Sequence, residues 1–142
     1  MAEQALDHLG LTNNKKALKA LSANSATRET VLWSQKVTKI NRKGKGQMRA
    51  LLVTNRSILN LMPDNYSKCN RCIRIKQLHH ISTSAASQEF VLHIADEYDY
   101  RFKTPLYMEV VAVLQRAVEL VSGEKLVVAE LDVEELARQV MT

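Results

Sequence analysis

At 142 residues, with 46% apolar and 25% charged content, the chain has material for one ordinary domain with a real core. No window approaches eighteen uncharged apolar residues, and the N-terminus lacks a basic-then-apolar signal pattern, so the sequence reads as intracellular and not membrane-spanning. The net charge of +5 hides an asymmetry: residues 1–27 carry three Lys and two acids, residues 28–76 carry twelve Lys or Arg against Glu29 and Asp64, and residues 77–142 carry five cations against eleven acids. A field concentrated in this way steers a protein toward phosphates, of lipid head groups or of nucleic acid.

Residues 1–30 predict one or two short helices. Ala5, Leu6 and Leu9 share a face, as do Ala17, Leu18 and Leu21, and Gly10 with Asn13 and Asn14 interrupts them. Ser22 to Thr30 is small and polar, a connector, and the N-terminal piece reads as a helical appendage docked on the main domain. From Val31 the period becomes strand-like. VLWSQKVTKIN, MRALLVT, SILNLM, RCIRIK, HISTS, EFVLHI and YDYRFK are seven short runs, separated by the turn-prone RKGKG, Asn55-Arg56, PDNYSKC, Gln77 to His79, AASQ and ADE. Seven short strands without intervening helices argue for a mainly β fold, paired antiparallel and closed as a small barrel or packed as a sandwich.

A helical pattern follows. Thr104 suits an N-cap and Pro105 the first helical position, and Leu106, Val110, Val113, Leu114, Ala117, Leu120 and Val121 form a stripe ending at Gly123. Such a helix would plug the open end or seam of a barrel. KLVVAEL allows a short extra strand and LDVEELARQV a helical turn or two. The boundaries expected are a helical extension and connector over 1–29, the β domain with its helix over 30–128, and a short helix over 129–142.

The candidate site is the hairpin from Lys36 to Arg56. RKGKG sets three cations beside two glycines, which permit the positive φ of a tight turn. A turn centred near Gly44 places Lys39 opposite Arg49. Facing like charges destabilise a ladder, so the pair asks for an anion, and a phosphate is the obvious one.

Other constellations carry less. Cys69 and Cys72 have the spacing of zinc knuckles and thiol oxidoreductases, with His79 and His80 behind. A structural zinc needs four ligands and a redox pair favours a helix N-terminus, however, and this pair leads into a strand. Two close cysteines also fit a reducing compartment. Trp33 reads as a packing anchor and His93 as a strand-face residue. Asp96, Glu97 and Asp99 lack the spacing of a calcium loop and read as solvated turn acids. GxSxG, P-loop and HExxH patterns are absent and glycines number four, so no enzymatic chemistry, metal or cofactor is expected.

In order and spacing, KVTKINRKGKG, RALLVTNRSILNL, RIKQLHHISTS, FVLHI and PLYMEVVAVLQRAV resemble the tail homology 1 domain of class I myosins, across roughly residues 30–128. The resemblance implies a pleckstrin-homology-like barrel or sandwich of seven antiparallel strands capped by a C-terminal helix, here with an extra N-terminal helical segment. The motor, calmodulin-binding neck and further tail of such a myosin are missing, which leaves a stand-alone protein or an excised tail fragment. Phosphoinositide-binding modules of this superfold use a first-strand Lys, cations in the first loop and a basic pair one residue apart in the second strand. Lys39 matches the first, Arg42, Lys43 and Lys45 supply the loop, and Arg49 matches one of the pair, while Gln47 and Leu51 stand where its partner would. This departure from the pattern implies binding driven largely by charge, with little head-group selectivity. The loop after strand three would add Lys68 and Arg71, and the loop after strand six would add Asp96, Glu97 and Asp99, which repel phosphate.

The expected function is membrane targeting by binding anionic phospholipids or phosphoinositides, at the inner face of membranes or on cytoskeletal structures in the cytoplasm. The alternative is an adaptor that docks an acidic or cytoskeletal protein. Nucleic acid is a poor partner, because none of the seven aromatics lies within residues 34–65 to stack on bases.

Overall fold

The computed structural model describes residues 6–140, so Ala5 of the first expected face lies outside the described residues. The elements run α1 (Lys15–Asn24), β1 (Val31–Ile40), β2 (Gly46–Thr54), β3 (Ser57–Met62), β4 (Asn65–Arg74), β5 (Leu78–Ser84), β6 (Glu89–Ile94), β7 (Tyr100–Lys103), α2 (Tyr107–Ser122), β8 (Val128–Glu130) and α3 (Val133–Gln139). All seven expected strands are present, followed by the expected helix. The chain divides into two compact units, Met1–Val37 with Met48–Ile75, and Thr38–Gln47 with Lys76–Thr142. Strands β1 and β2 each run from one unit into the other.

In the first unit the strands follow the order β4, β3, β2, β1. Leu52 pairs with Leu59, Leu59 with Cys72 and Leu61 with Cys69. The register shifts between Asn60 and Leu61, and this irregularity brings Cys69 and Cys72, three apart in sequence, to the same side as Leu59 and Leu61. Strand β4 begins at Asn65, inside the stretch expected to turn. Only Pro63 and Asp64 turn there, because Tyr66 and Cys69 pack on the apolar cluster and extend the ladder backwards.

Helix α1 starts at Asn14, whose Oδ1 accepts from the Ala17 amide at 3.0 Å. It lays Ala17, Ala20 and Leu21 over β4, while Leu18, expected on the same face, is exposed. Ahead of it, the Asp7 carboxylate accepts from the Leu11 and Thr12 amides, each at 2.9 Å, and from the Ser34 hydroxyl. Burial pushes Asp7 up, but these hydrogen bonds outweigh it and hold the carboxyl below its ordinary value. Trp33 is fully buried, as its role as a packing anchor requires.

A polar tie joins four pieces of this unit. The Glu29 side chain is 1% exposed and receives Arg74 Nη1 at 3.0 Å and the Thr54 hydroxyl at 2.5 Å. Arg74 also donates to Ser57 Oγ at 2.6 Å and to the Asn24 carbonyl. The end of α1, the connector, the β2–β3 turn and the end of β4 thus share one ion pair.

In the second unit the order is the end of β1, then β7, β6, β5 and β8. Strand β8 realises the possible extra strand and pairs parallel to β5, with Ile81 opposite Val128. Helix α2 packs on β5 and β6 and buries Val110, Val111, Leu114, Ala117 and Val118. Phe90 and Phe102 stack beneath with ring centroids 5.4 Å apart. The helix begins at Tyr107, because Pro105 and Leu106 form a turn ahead of it. Thr104 Oγ1 accepts from the Leu106 amide at 3.1 Å and the Thr104 carbonyl from Tyr107. Leu120 and Val121, the end of the expected stripe, are exposed. Leu136 of α3 is buried, and Asp132 caps that helix by accepting from the Glu135 amide at 2.8 Å.

Candidate anion-binding site

The basic loop is built by its first residue. The Asn41 carbonyl accepts from the Gly44 amide and the Asn41 amide donates to the Lys45 carbonyl, each at 2.9 Å, and Gly44 takes φ 80°. This is a three-residue hairpin loop in which the glycine holds the left-handed position that a side chain would strain. Asn41 Oδ1 also accepts from the Lys43 amide at 2.9 Å and the Lys45 amide at 3.0 Å. Gly46 serves differently from the positive φ expected of it: a Cβ there would stand 2.7 Å from Thr38 Cγ2.

The loop centre is therefore Lys43, one residue before Gly44. Continuing the register of the closing Asn41–Lys45 bond sets Lys39 across from Gln47, which replaces the facing Lys39–Arg49 pair expected from the sequence. The chemistry of the loop follows from which groups are used. The amides of Lys43, Gly44 and Lys45 are consumed inside the turn, so an anion meets side chains and not a backbone cradle. Arg42, Lys43 and Lys45 are exposed, and none forms an ion pair with a described residue.

The other expected cations lie elsewhere. In the second unit, Lys39 pairs with Phe102 of β7 and holds its Nζ 5.6 Å from the Tyr100 ring centroid. Arg49, Lys68 and Arg71 belong to the first unit. Arg49 is half-buried, with Nη1 donating to the Met48 carbonyl at 2.7 Å. Lys68 and Arg71 sit within β4 and not in a loop, Lys68 exposed and Arg71 paired in register with Asn60.

The acidic turn after β6 is anchored by hydrogen bonds, through a group that sequence reasoning missed. His93 on β6 contacts Asp99 Oδ2 through Nδ1 and Ser82 Oγ of β5 through Nε2, both at 2.8 Å. His80 stacks on His93 with centroids 4.0 Å apart, and its Nδ1 lies 2.7 Å from that of His79, one of the two donating to the other. The Ser82, His93, Asp99 order matches nucleophile, base and orienting acid, but Ser82 is 1% exposed and no substrate can reach it. The chain of bonds instead anchors the 95–99 turn. Its parts come from two strands and a turn, and only the apolar-flanked His93 hinted at it in the sequence.

Burial, then the neighbouring His93 and His79, lower the pKa of His80, against a smaller opposing pull from Asp99. A histidine held below its unfolded value favours the fold when neutral, so this contribution is complete above 6.5 and is lost as pH falls through that value toward the folded one. Thermal unfolding between pH 7.5 and pH 5.5 should therefore show a falling midpoint in the wild type and a smaller fall in His80→Gln. Equal falls would remove His80 from this role.

The cysteines lie half-buried on β4, and burial raises both thiols above their ordinary value, for Cys69 with Cys72 adding to it. This is opposite to what a redox pair needs. A groove of about 810 Å³ beside α1 is lined by Leu18, Leu21, Val31 and several hydroxyls. Arg28 is its one cation, so it offers little to a phosphate.

Mainly antiparallel strands followed by a C-terminal helix, with cations gathered in the first hairpin loop, define a pleckstrin-homology-like module. Among solved structures, the hSac2 domain from human phosphoinositide phosphatase Sac2 matches with a TM-score of 0.59 at 13% identity, over 82% of this chain and 85% of that one. The N-terminal PH domain of human ARAP2 matches with a TM-score of 0.55 at 14% identity, over 69% and 87%. The chain belongs to the unconventional myosin tail family, described as actin- and lipid-binding, whose model matches residues 5–134. The myosin IA heavy chain of Dictyostelium discoideum is 31% identical over 105 residues. The alignment takes in 69% of this chain and spans 11% of that protein's length. The family is that of a tail module, and among the described residues no helix is long and apolar enough to cross a membrane.

Proposed function

We propose that the chain attaches peripherally to anionic lipid surfaces on the cytoplasmic side of membranes. The 42–45 loop makes the contact, largely by charge, with phosphoinositides among the head groups it meets. The observation that carries this reading is the loop itself: Asn41 and Gly44 shape it, the Lys43, Gly44 and Lys45 amides are used internally, and Arg42, Lys43 and Lys45 are left exposed. Side chains without a backbone cradle give attraction with little head-group selectivity. Lys39 stands at the base of the loop on β1 and braces it against Tyr100.

Each cation near an anionic surface contributes about 1 kcal/mol, so the three in the loop supply about 3 kcal/mol, whereas micromolar attachment takes about 8 kcal/mol. The rest must come from other cations and from apolar contact. Vesicle co-sedimentation tests the reading. Binding is expected to phosphatidylserine and phosphoinositide vesicles and not to neutral phosphatidylcholine, with steep loss between 50 and 300 mM salt, as screening shortens the reach of exposed charge. Salt-insensitive binding would contradict it.

A second reading, docking to an acidic or cytoskeletal protein, is favoured by the family's description as actin-binding. Absence of binding to every vesicle, with co-sedimentation on actin filaments, would select it.

A further inference from the structure

Of the one Trp, four Tyr and two Phe in the chain, only Tyr98 is exposed, at 67%. It lies in the turn between β6 and β7. Strand β7 pairs with β1, Thr38 opposite Lys103, Lys39 opposite Phe102 and Ile40 opposite Arg101. The turn before β7 and the loop after β1 therefore leave the same end of two neighbouring strands. The Ile75–Gln77 turn joins them there, because the Ala95 amide donates to the Gln77 carbonyl at 3.0 Å, and it carries exposed Lys76.

The carboxylates of the 95–99 turn are largely engaged. Asp99 is half-buried and held by His93 at 2.8 Å, and Glu97 accepts from Gln77 Nε2 at 3.1 Å while staying exposed beside the exposed Asp96. This end of the second unit thus carries Arg42, Lys43, Lys45 and Lys76 together with the exposed Tyr98. A tyrosine has an apolar body and a polar tip, and such rings settle at the boundary between head groups and acyl chains.

We propose that Tyr98 enters the head-group boundary of the anionic bilayer on which the loop cations rest, supplying apolar contact that charge alone does not. The proposal rests on the lipid-surface reading above. It assigns the 95–99 turn, read from sequence as a repulsive element, to the membrane-facing side.

The test uses the full chain with vesicles of phosphatidylcholine containing phosphatidylserine. Tyr98→Trp adds a reporter, and because Trp33 is fully buried the wild type serves as a constant background. The emission of Tyr98→Trp is expected to shift to the blue and to become shielded from acrylamide when vesicles are added, with no change in the wild type. Tyr98→Ala is expected to bind about fivefold more weakly, from partial burial of the ring, and Tyr98→Phe near wild type. Unshifted emission of the Tyr98→Trp variant while it sediments with vesicles overturns the Tyr98 assignment and leaves the lipid-surface reading intact. No sedimentation of any variant or of the wild type overturns both.

Discussion

Replacing Arg42, Lys43 and Lys45 together with alanine is expected to weaken binding to anionic vesicles roughly 150-fold, about 1 kcal/mol for each cation removed. The fold should be untouched. The loop keeps its shape through Asn41 and Gly44, and the three side chains are exposed and in no ion pair with a described residue. The triple variant should therefore unfold at the wild-type urea midpoint while its vesicle titration moves far to the right. A variant that sediments like the wild type at 50 mM salt would sink the assignment of this loop. A uniform loss spread over Lys68 and Arg71 variants instead would move the site to β4.

Arg74→Ala is expected to destabilise the protein by about 3 kcal/mol, the lower end for removing one partner of a buried pair, since Arg74 is itself 35% exposed. The cost comes less from the lost attraction than from what stays behind: Glu29, with 1% of its side chain exposed, keeps a charge whose remaining partners are hydroxyls. Urea unfolding should show a lower midpoint with an unchanged slope, and Arg74→Ala with Glu29→Gln should regain part of the loss. A loss under about 1 kcal/mol would mean that the pair behaves as an exposed one.

The same carboxylate gives the tie a pH signature. Burial pushes Glu29 up, but hydrogen bonds from Ser25, Thr54 and Ser57 and the charge of Arg74 outweigh it and lower its pKa. A carboxyl depressed in the fold contributes stability that is whole above its unfolded value and is lost as pH falls through the folded one. The acid side of the stability curve therefore belongs to Glu29 and Asp7, and the region just below 6.5 to His80.

The strands were legible because each repeats β-branched and apolar residues between turn formers, and the cationic loop because charge is visible without any geometry. The register was harder. Asn41 at the first position and Gly44 at the fourth form a turn signature that, read strictly, centres the loop on Lys43. The presence of a second glycine at 46 drew the centre one residue too far, and its real reason, the approach of Thr38, is invisible without the partner strand. The start of β4 was hidden by Asn65, Ser67 and Lys68, polar residues on a strand whose half-buried Tyr66 and Cys69 pack on the apolar cluster beneath α1. Tyr98 looked like the first residue of a strand, yet it precedes β7 and is 67% exposed. The bonds joining Ser82, His93 and Asp99 depend on the pairing of β5 with β6, which no local pattern encodes.

Strand β8 makes the stretch after the long helix more than a tail. Its three residues occupy hydrogen-bonding positions along β5 from Ile81 to Thr83, and Glu130 reaches on to the Thr83 hydroxyl and the Ala85 amide. Were these residues trimmed away as a dispensable extension, a row of unmet main-chain donors and acceptors would be uncovered beside a largely apolar layer, an open invitation to self-association. The last strand acts as a selvedge that keeps the woven edge from catching on its neighbours.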